Sequence, residues 1–179
     1  MDKLELKHLA TYLPYGLKIK LPYGILTLGN HPNVHKDDQL INYGSVIIDQ
    51  LKPILRPLSD LTKEIEHNGE RFVPLMRLFE IAFGMMYGSE EVDKFDFREL
   101  DPEDGSAFGC FELNREWALV FRNNNFSCHK DYDGYKHQKV NNQIQLFQSL
   151  FQWHFDVFDL LSKNLAIDIN TLNQTKTDK

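Results

Sequence analysis

Apolar residues recur at spacings of three and four through the last third of the chain: Leu146, Phe147, Leu150, Phe151, Trp153, His154, Val157, Phe158, Leu160 and Leu161. On a period of 3.6 residues this makes one wide apolar stripe, and Gln145, Gln148, Gln152, Asp159 and Lys163 fall on the other side, so the pattern predicts a single long amphipathic helix. Asn142 is its expected N-cap, with Gln145 reaching back three residues on. Asn164 suits the left-handed C′ position, with Leu165 over Leu160 in a Schellman-type stop. Phe155 breaks the pattern, because it falls among Gln148, Gln152 and Asp159 on the face assigned to water. Either a loop or sheet of the same domain covers the ring, or Phe155, flanked by Gln152 and Asp159, is the contact for a partner. His154, among Phe147, Phe151 and Phe158, reads as a core or boundary histidine with one satisfied nitrogen.

Elsewhere the period is shorter. Asp2 and Glu5 suggest a capping box for a helix over Leu4 to Leu13, which Pro14 closes. Alternation at Leu17, Ile19 and Leu21 and again at Ile25 and Thr27 predicts a hairpin around a Pro-Tyr-Gly turn, and the repeated LPYG is turn chemistry used twice. Residues 30–42 read as a polar loop carrying His31 and His35, and SVIIDQ (45–50) as a strand. Pro53 and Pro57 bound an extended passage, and Pro57 with Ser59 and Asp60 opens a short helix expected to end at Asn68-Gly69. A second helix follows from Pro74, with Leu75, Leu78, Phe79 and Phe83 on one face. The stretch 88–105 reads as acidic and irregular. Phe108–Leu113, Trp117–Phe121 and Phe126–Cys128 then alternate as an antiparallel meander.

Strands and helices come in blocks without βαβ alternation, which predicts an α+β fold: an antiparallel sheet from the N-terminal hairpin and the central meander, packed against the long C-terminal helix and shorter helices. The length of 179 residues and the 42% apolar content suit one domain over 1–172, with 173–179 as a disordered tail. The N-terminus interleaves charges where a signal peptide needs an unbroken apolar run, so a cytoplasmic setting is expected.

Charge narrows the chemistry. The net charge is −6; residues 1–60 hold seven basic and six acidic groups, residues 61–105 five and twelve, and residues 106–179 eight of each, so the middle of the chain carries the excess. Lys130, Lys136 and Lys139 are diluted by Asp131 and Asp133, which argues against nucleic acid as a direct ligand. Cys110 and Cys128 are too few for a disulfide framework, and with His129 and His137 they lack the CxxC turn of a zinc site. DYDG (131–134) lacks the further oxygen ligands of a calcium loop. No metal, cofactor or catalytic residue is therefore expected.

The segments KPILRPLSDLTKEI (52–65), LFQWHFDVFDLLSKNLAIDINTL (150–172) and KHLATYLPYGLKI (7–19) resemble segments of a family of small proteins of unknown function encoded in phages and prophages of gut anaerobic bacteria. The resemblance covers about a third of the chain by those segments, and 85–140 has no counterpart in it. Asp159 and Asn164 depart from it, since relatives carry Gly there. It implies an origin on mobile DNA and a bacterial cytoplasmic setting, and brings no catalytic residues. The expected function is a non-enzymatic accessory protein that binds an unknown protein partner. One alternative is a metal-dependent hydrolase drawing on Glu90, Glu91, Asp93, Asp96, Glu99, Asp101, Glu103 and Asp104 with His31, His35 and His129. Another is an acidic mimic that occupies the basic surface of a nucleic-acid-binding protein.

Overall fold

The computed structural model describes residues 3–21, 24–28, 51–84, 89–100, 107–113, 117–130, 136–140 and 142–174. In chain order these form helix α1 (Leu6–Ala10), strands β1 (Leu17–Leu21), β2 (Gly24–Leu28), β3 (Lys52–Leu55), β4 (Ile65–His67) and β5 (Glu70–Phe72), and helix α2 (Pro74–Phe83). Strands β6 (Phe95–Glu99), β7 (Ala107–Glu112), β8 (Trp117–Arg122), β9 (Asn125–Lys130) and β10 (Lys136–Lys139) follow, then helix α3 (Gln143–Gln152), strand β11 (Ile167–Asp168) and helix α4 (Ile169–Gln174). Mixed helices and largely antiparallel sheets make the fold α+β, as the blocks of periodicity predict. The stretch 1–172 expected as one domain comprises two compact units: Met1–Pro57 with Leu150–Lys179, and Leu58–Ser149. The expected loop at 30–42 and strand at 45–50 lie outside the described residues.

The first unit is a four-stranded sheet in the order β11-β3-β1-β2. The hairpin forms as the alternation predicts, with Leu17 opposite Leu28 and Ile19 opposite Leu26. On its other side β1 pairs with β3 through Ile19↔Pro53 and Lys20↔Lys52, and β11 joins β3 in parallel through Ile167↔Ile54. Leu4, Leu9, Tyr12, Leu17, Ile19, Leu55, Leu160 and Ala166 form the core, bordered by Phe151 and Phe158. Helix α1 is shorter than expected: Glu5 is its N-cap, and the Glu5 amide donates to His8 Nδ1 at 3.1 Å, so His8 fills the role assigned to Glu5 in the expected box. A short 3-10 turn, Leu13–Tyr15, takes Pro14 before Gly16 turns left-handed at φ 71°.

The second unit is a five-stranded antiparallel meander in the order β10-β9-β8-β7-β6. Its core face carries Phe95, Phe108, Cys110, Leu119, Phe121 and Phe126, all buried. Phe79 of α2 meets Phe95 edge-on at 5.2 Å, Phe83 meets Trp117 at 4.8 Å, and Phe147 of α3 meets Phe126 at 5.4 Å. The Asn142 side chain donates to Ile81 O at 2.6 Å, so it ties α2 to the start of α3 instead of capping its own helix. Two sequence expectations change in this unit. Asn68-Gly69 is a hairpin turn between β4 and β5, with φ of 53° and 83°, because Asn-Gly populates the two successive left-handed positions of a tight hairpin. The stretch read as irregular also contains β6, where Phe95 and Phe97 alternate with Asp96 and Arg98.

The long C-terminal helix is the principal correction. Helix α3 ends at Gln152, and the apolar stripe beyond it forms turns. His154 takes the left-handed conformation at φ 60°, its amide donates to Phe151 O at 3.1 Å, and the Phe155 amide donates to Leu150 O at 2.9 Å. That is a Schellman stop with His154 at C′. The expected stop at Asn164 also exists: Asn164 has φ 57°, and the Leu165 amide donates to Leu160 O at 2.8 Å. It closes a turn, not a helix. At the chain end α4 runs into the expected tail as far as Gln174, its first turn held by the Asn170 amide donating to Asp168 Oδ1 at 2.8 Å.

Candidate functional site

Phe155 is completely buried, so it is not a partner contact; its ring is covered by the chain itself. The cause lies in the backbone around it. The Arg56 amide donates to His154 O and the Asp156 amide to Arg56 O, both at 2.8 Å, which stitches Phe155 to Arg56 as a parallel bridge beyond the end of β3. Tyr12 completes the arrangement. Its hydroxyl donates to Phe155 O at 2.7 Å and accepts the Val157 amide at 3.3 Å, and burial pushes the phenol well above its usual range. His154 is the half-buried boundary histidine expected, with Nε2 at 3.1 Å from Tyr15 O. Residues of the stretches 7–19, 52–65 and 150–172 therefore meet at Tyr12, Arg56 and Phe155. The other two proposed contact residues stay on the surface: Gln152 is exposed at the end of α3, and exposed Asp159 lies 3.9 Å from Lys163.

Asp156 is the buried carboxylate of this region. Its Oδ1 accepts the Leu160 amide at 2.9 Å and its Oδ2 the Leu161 amide at 2.7 Å, so both oxygens hold the turn that ends at Asn164. Burial raises its pKa against the opposing pull of those amides. Among the described residues, both hydrogen bonds of this carboxylate serve the fold.

Among the described residues, those proposed for hydrolysis do not converge. Asp96 pairs with Arg98 at 2.9 Å, Asp93 and Glu99 are exposed, and the side chains of Glu90, Glu91, Asp101, Glu103 and Asp104 lie outside the described residues, as do His31, His35 and His129. Among the described residues no group of three His, Cys, Asp or Glu is placed to hold a metal ion. Leu119 of β8 pairs with both Cys110 and Cys128, so a whole strand separates the two thiols by about 10 Å, beyond disulfide reach. Burial pushes Cys128 up to about 11 and Cys110 higher still, with Glu112 and Asp96 adding to the shift at Cys110. A thiol reagent is expected to leave both cysteines unmodified in the folded chain and to label both in guanidinium; rapid labelling of the native protein would contradict this burial.

A cavity of about 100 Å³ opens beside α2 and β5, with Arg71, Arg77, Glu64 and Glu80 among its walls. Its charges are matched internally: Arg77 pairs with Glu80 at 3.1 Å and with Glu70, while Arg71 lies 3.6 Å from Glu66 and 3.9 Å from Glu64. It is well below the size of a typical small-molecule site. The same pairing engages Glu64, Glu66, Glu70 and Glu80, four of the carboxylates that an acidic mimic would draw on.

Among the described residues, the outer edge of the first unit's sheet is left without an internal explanation. Strand β2 ends the sheet of the first unit among the described residues, and its five residues, Gly-Ile-Leu-Thr-Leu, carry no charge. Ile25 is 53% exposed and Leu26 40%. Edge strands are ordinarily guarded by Lys, Pro or a bulge, since unpaired backbone groups template further pairing. Here the lysines sit one strand inward, on β1, where Lys18 is opposite Thr27 and Lys20 opposite Ile25. The sequence shows that GILTL is uncharged on both faces of a predicted strand, but not that this strand ends the sheet.

No family model, no curated protein and no solved structure matches the chain. Among the described residues no helix is long and apolar enough to cross a membrane.

Proposed function

We propose that the chain is a non-catalytic, cytoplasmic protein-interaction module that receives an extended segment of a partner along the outer edge of β2. The observation that carries this reading is the uncharged edge strand with Ile25 and Leu26 exposed on its two faces. Strand addition to such an edge draws affinity from main-chain hydrogen bonds, and side chains on alternate faces supply selectivity. The buried polar groups of the first unit support the same reading, because Tyr12 and Asp156 are engaged in holding backbone.

The test is a photo-crosslinking residue in place of Ile25, with the same residue in place of Ile144, which is 77% exposed on α3, as the control. Irradiation of cells producing each variant is expected to give a discrete protein adduct from position 25 and none from position 144. Equal adducts from both positions, or none from position 25, would remove the reading.

A further inference from the structure

We infer that the segment received by β2 is acidic, an extended strand with carboxylate side chains at alternate positions; this rests on the interaction reading above. Three observations carry it. The two-residue connection makes Leu21 and Gly24 a hydrogen-bonded pair, so alternation along the hairpin turns the backbone groups of Ile25 and Thr27 toward the open edge. An incoming strand is therefore registered by those two residues.

On the same face of the sheet stand Lys18 and Lys20, both exposed, and among the described residues neither has a carboxylate within ion-pair distance. The neighbouring Lys52 differs, since its Nζ donates to Asn164 Oδ1 at 2.9 Å. A strand added beyond β2 lies two strand spacings from β1, about 10 Å. Lysine and glutamate side chains together span that gap, and short Thr27 leaves the path from Lys18 open.

Charge distribution agrees. The first unit holds ten basic and nine acidic groups, the second ten and seventeen, so the negative excess of the chain belongs to the unit that does not carry this lysine pair. Complementary charge would set the register and orientation of the incoming strand, while the backbone ladder and Ile25 supply the contact itself.

The full chain is titrated with two fluorescent eight-residue peptides, one alternating valine and glutamate, the other valine and lysine. The valine-glutamate peptide is expected to bind saturably and to slow amide exchange at Ile25 and Thr27. Lys18→Glu with Lys20→Glu is expected to weaken it at least about tenfold and to favour the valine-lysine peptide instead. Thr27→Pro, which removes an outward amide from an edge strand, is expected to abolish binding of both; circular dichroism checks that each variant is folded. Equal binding of the two peptides, indifference to lysine reversal, or a concentration-dependent dimer lost in Thr27→Pro would overturn the acidic partner. If adducts still form at position 25 in that event, the interaction reading stands and only the partner's chemistry is wrong; if they do not, both fall.

Discussion

Phe155→Ala is expected to destabilise the first unit by about 3–5 kcal/mol, the range for truncating a fully buried aromatic ring in a core that cannot collapse around the gap. Collapse is prevented by the backbone on both sides. Phe155 is bridged to Arg56, its carbonyl accepts the Tyr12 hydroxyl, and its amide closes the Schellman stop of α3, so the main chain cannot move in to fill the cavity. The chain has two tryptophans, Trp153 in the first unit and Trp117 in the second. In a Trp117→Phe background, urea unfolding followed by Trp153 fluorescence reports the first unit alone. A loss below about 1 kcal/mol would show that the ring contributes little to the packing.

Asp156→Ala is expected to cost about 2–3 kcal/mol, since it leaves the amides of Leu160 and Leu161 without their acceptors in a buried turn. The same carboxyl gives a pH dependence of defined sign. Burial raises its folded pKa above the ordinary 3.8, so between 3.8 and that raised value the folded chain holds a proton that the unfolded chain releases. The contribution of Asp156 to stability therefore falls as pH rises through this window and is level above it. The stability of the wild type minus that of Asp156→Asn, measured from pH 3 to pH 7, is expected to decline over the window and then flatten. A difference that rises with pH would mean that the two amides outweigh burial.

Much of this fold could be read from period and turn chemistry. The β1-β2 hairpin follows from Leu17, Ile19 and Leu21, α2 from Pro74 and the spacing of Leu75, Leu78, Phe79 and Phe83, and the meander from alternation after Phe108. The end of α3 could not be read that way. A helix stop is announced by Gly or Asn, and His154 is neither, so in the sequence the stripe of Trp153, Val157 and Phe158 continues on a helical period. What decides the stop is tertiary: the bridge from Arg56 and the hydroxyl of Tyr12 hold Phe155, and both lie far away in sequence. Asn164 shows the complementary case, in which a local signal kept its left-handed geometry although the expected helix before it is absent. The site was hidden for a related reason. An aromatic residue out of pattern draws attention to Phe155, whereas the exposure of Ile25 and Leu26 depends on which strand ends the sheet, and only the pairing of β1 with β3 reveals that.

The first unit is assembled from the segments on either side of the second. Tyr12 bonds to Phe155 across 143 positions, and β3 accepts β11 as a parallel neighbour. On the ribosome the hairpin therefore emerges early and must wait, its apolar edge and unfilled core in contact with whatever is nearby, until everything from Leu58 to Ser149 has been made and residues 150–168 have cleared the exit tunnel. The meander, whose strands pair with their neighbours in order, closes as it is synthesised. The hairpin, translated before the meander, is thus finished after it, and the interval between the two events is set by the speed of translation.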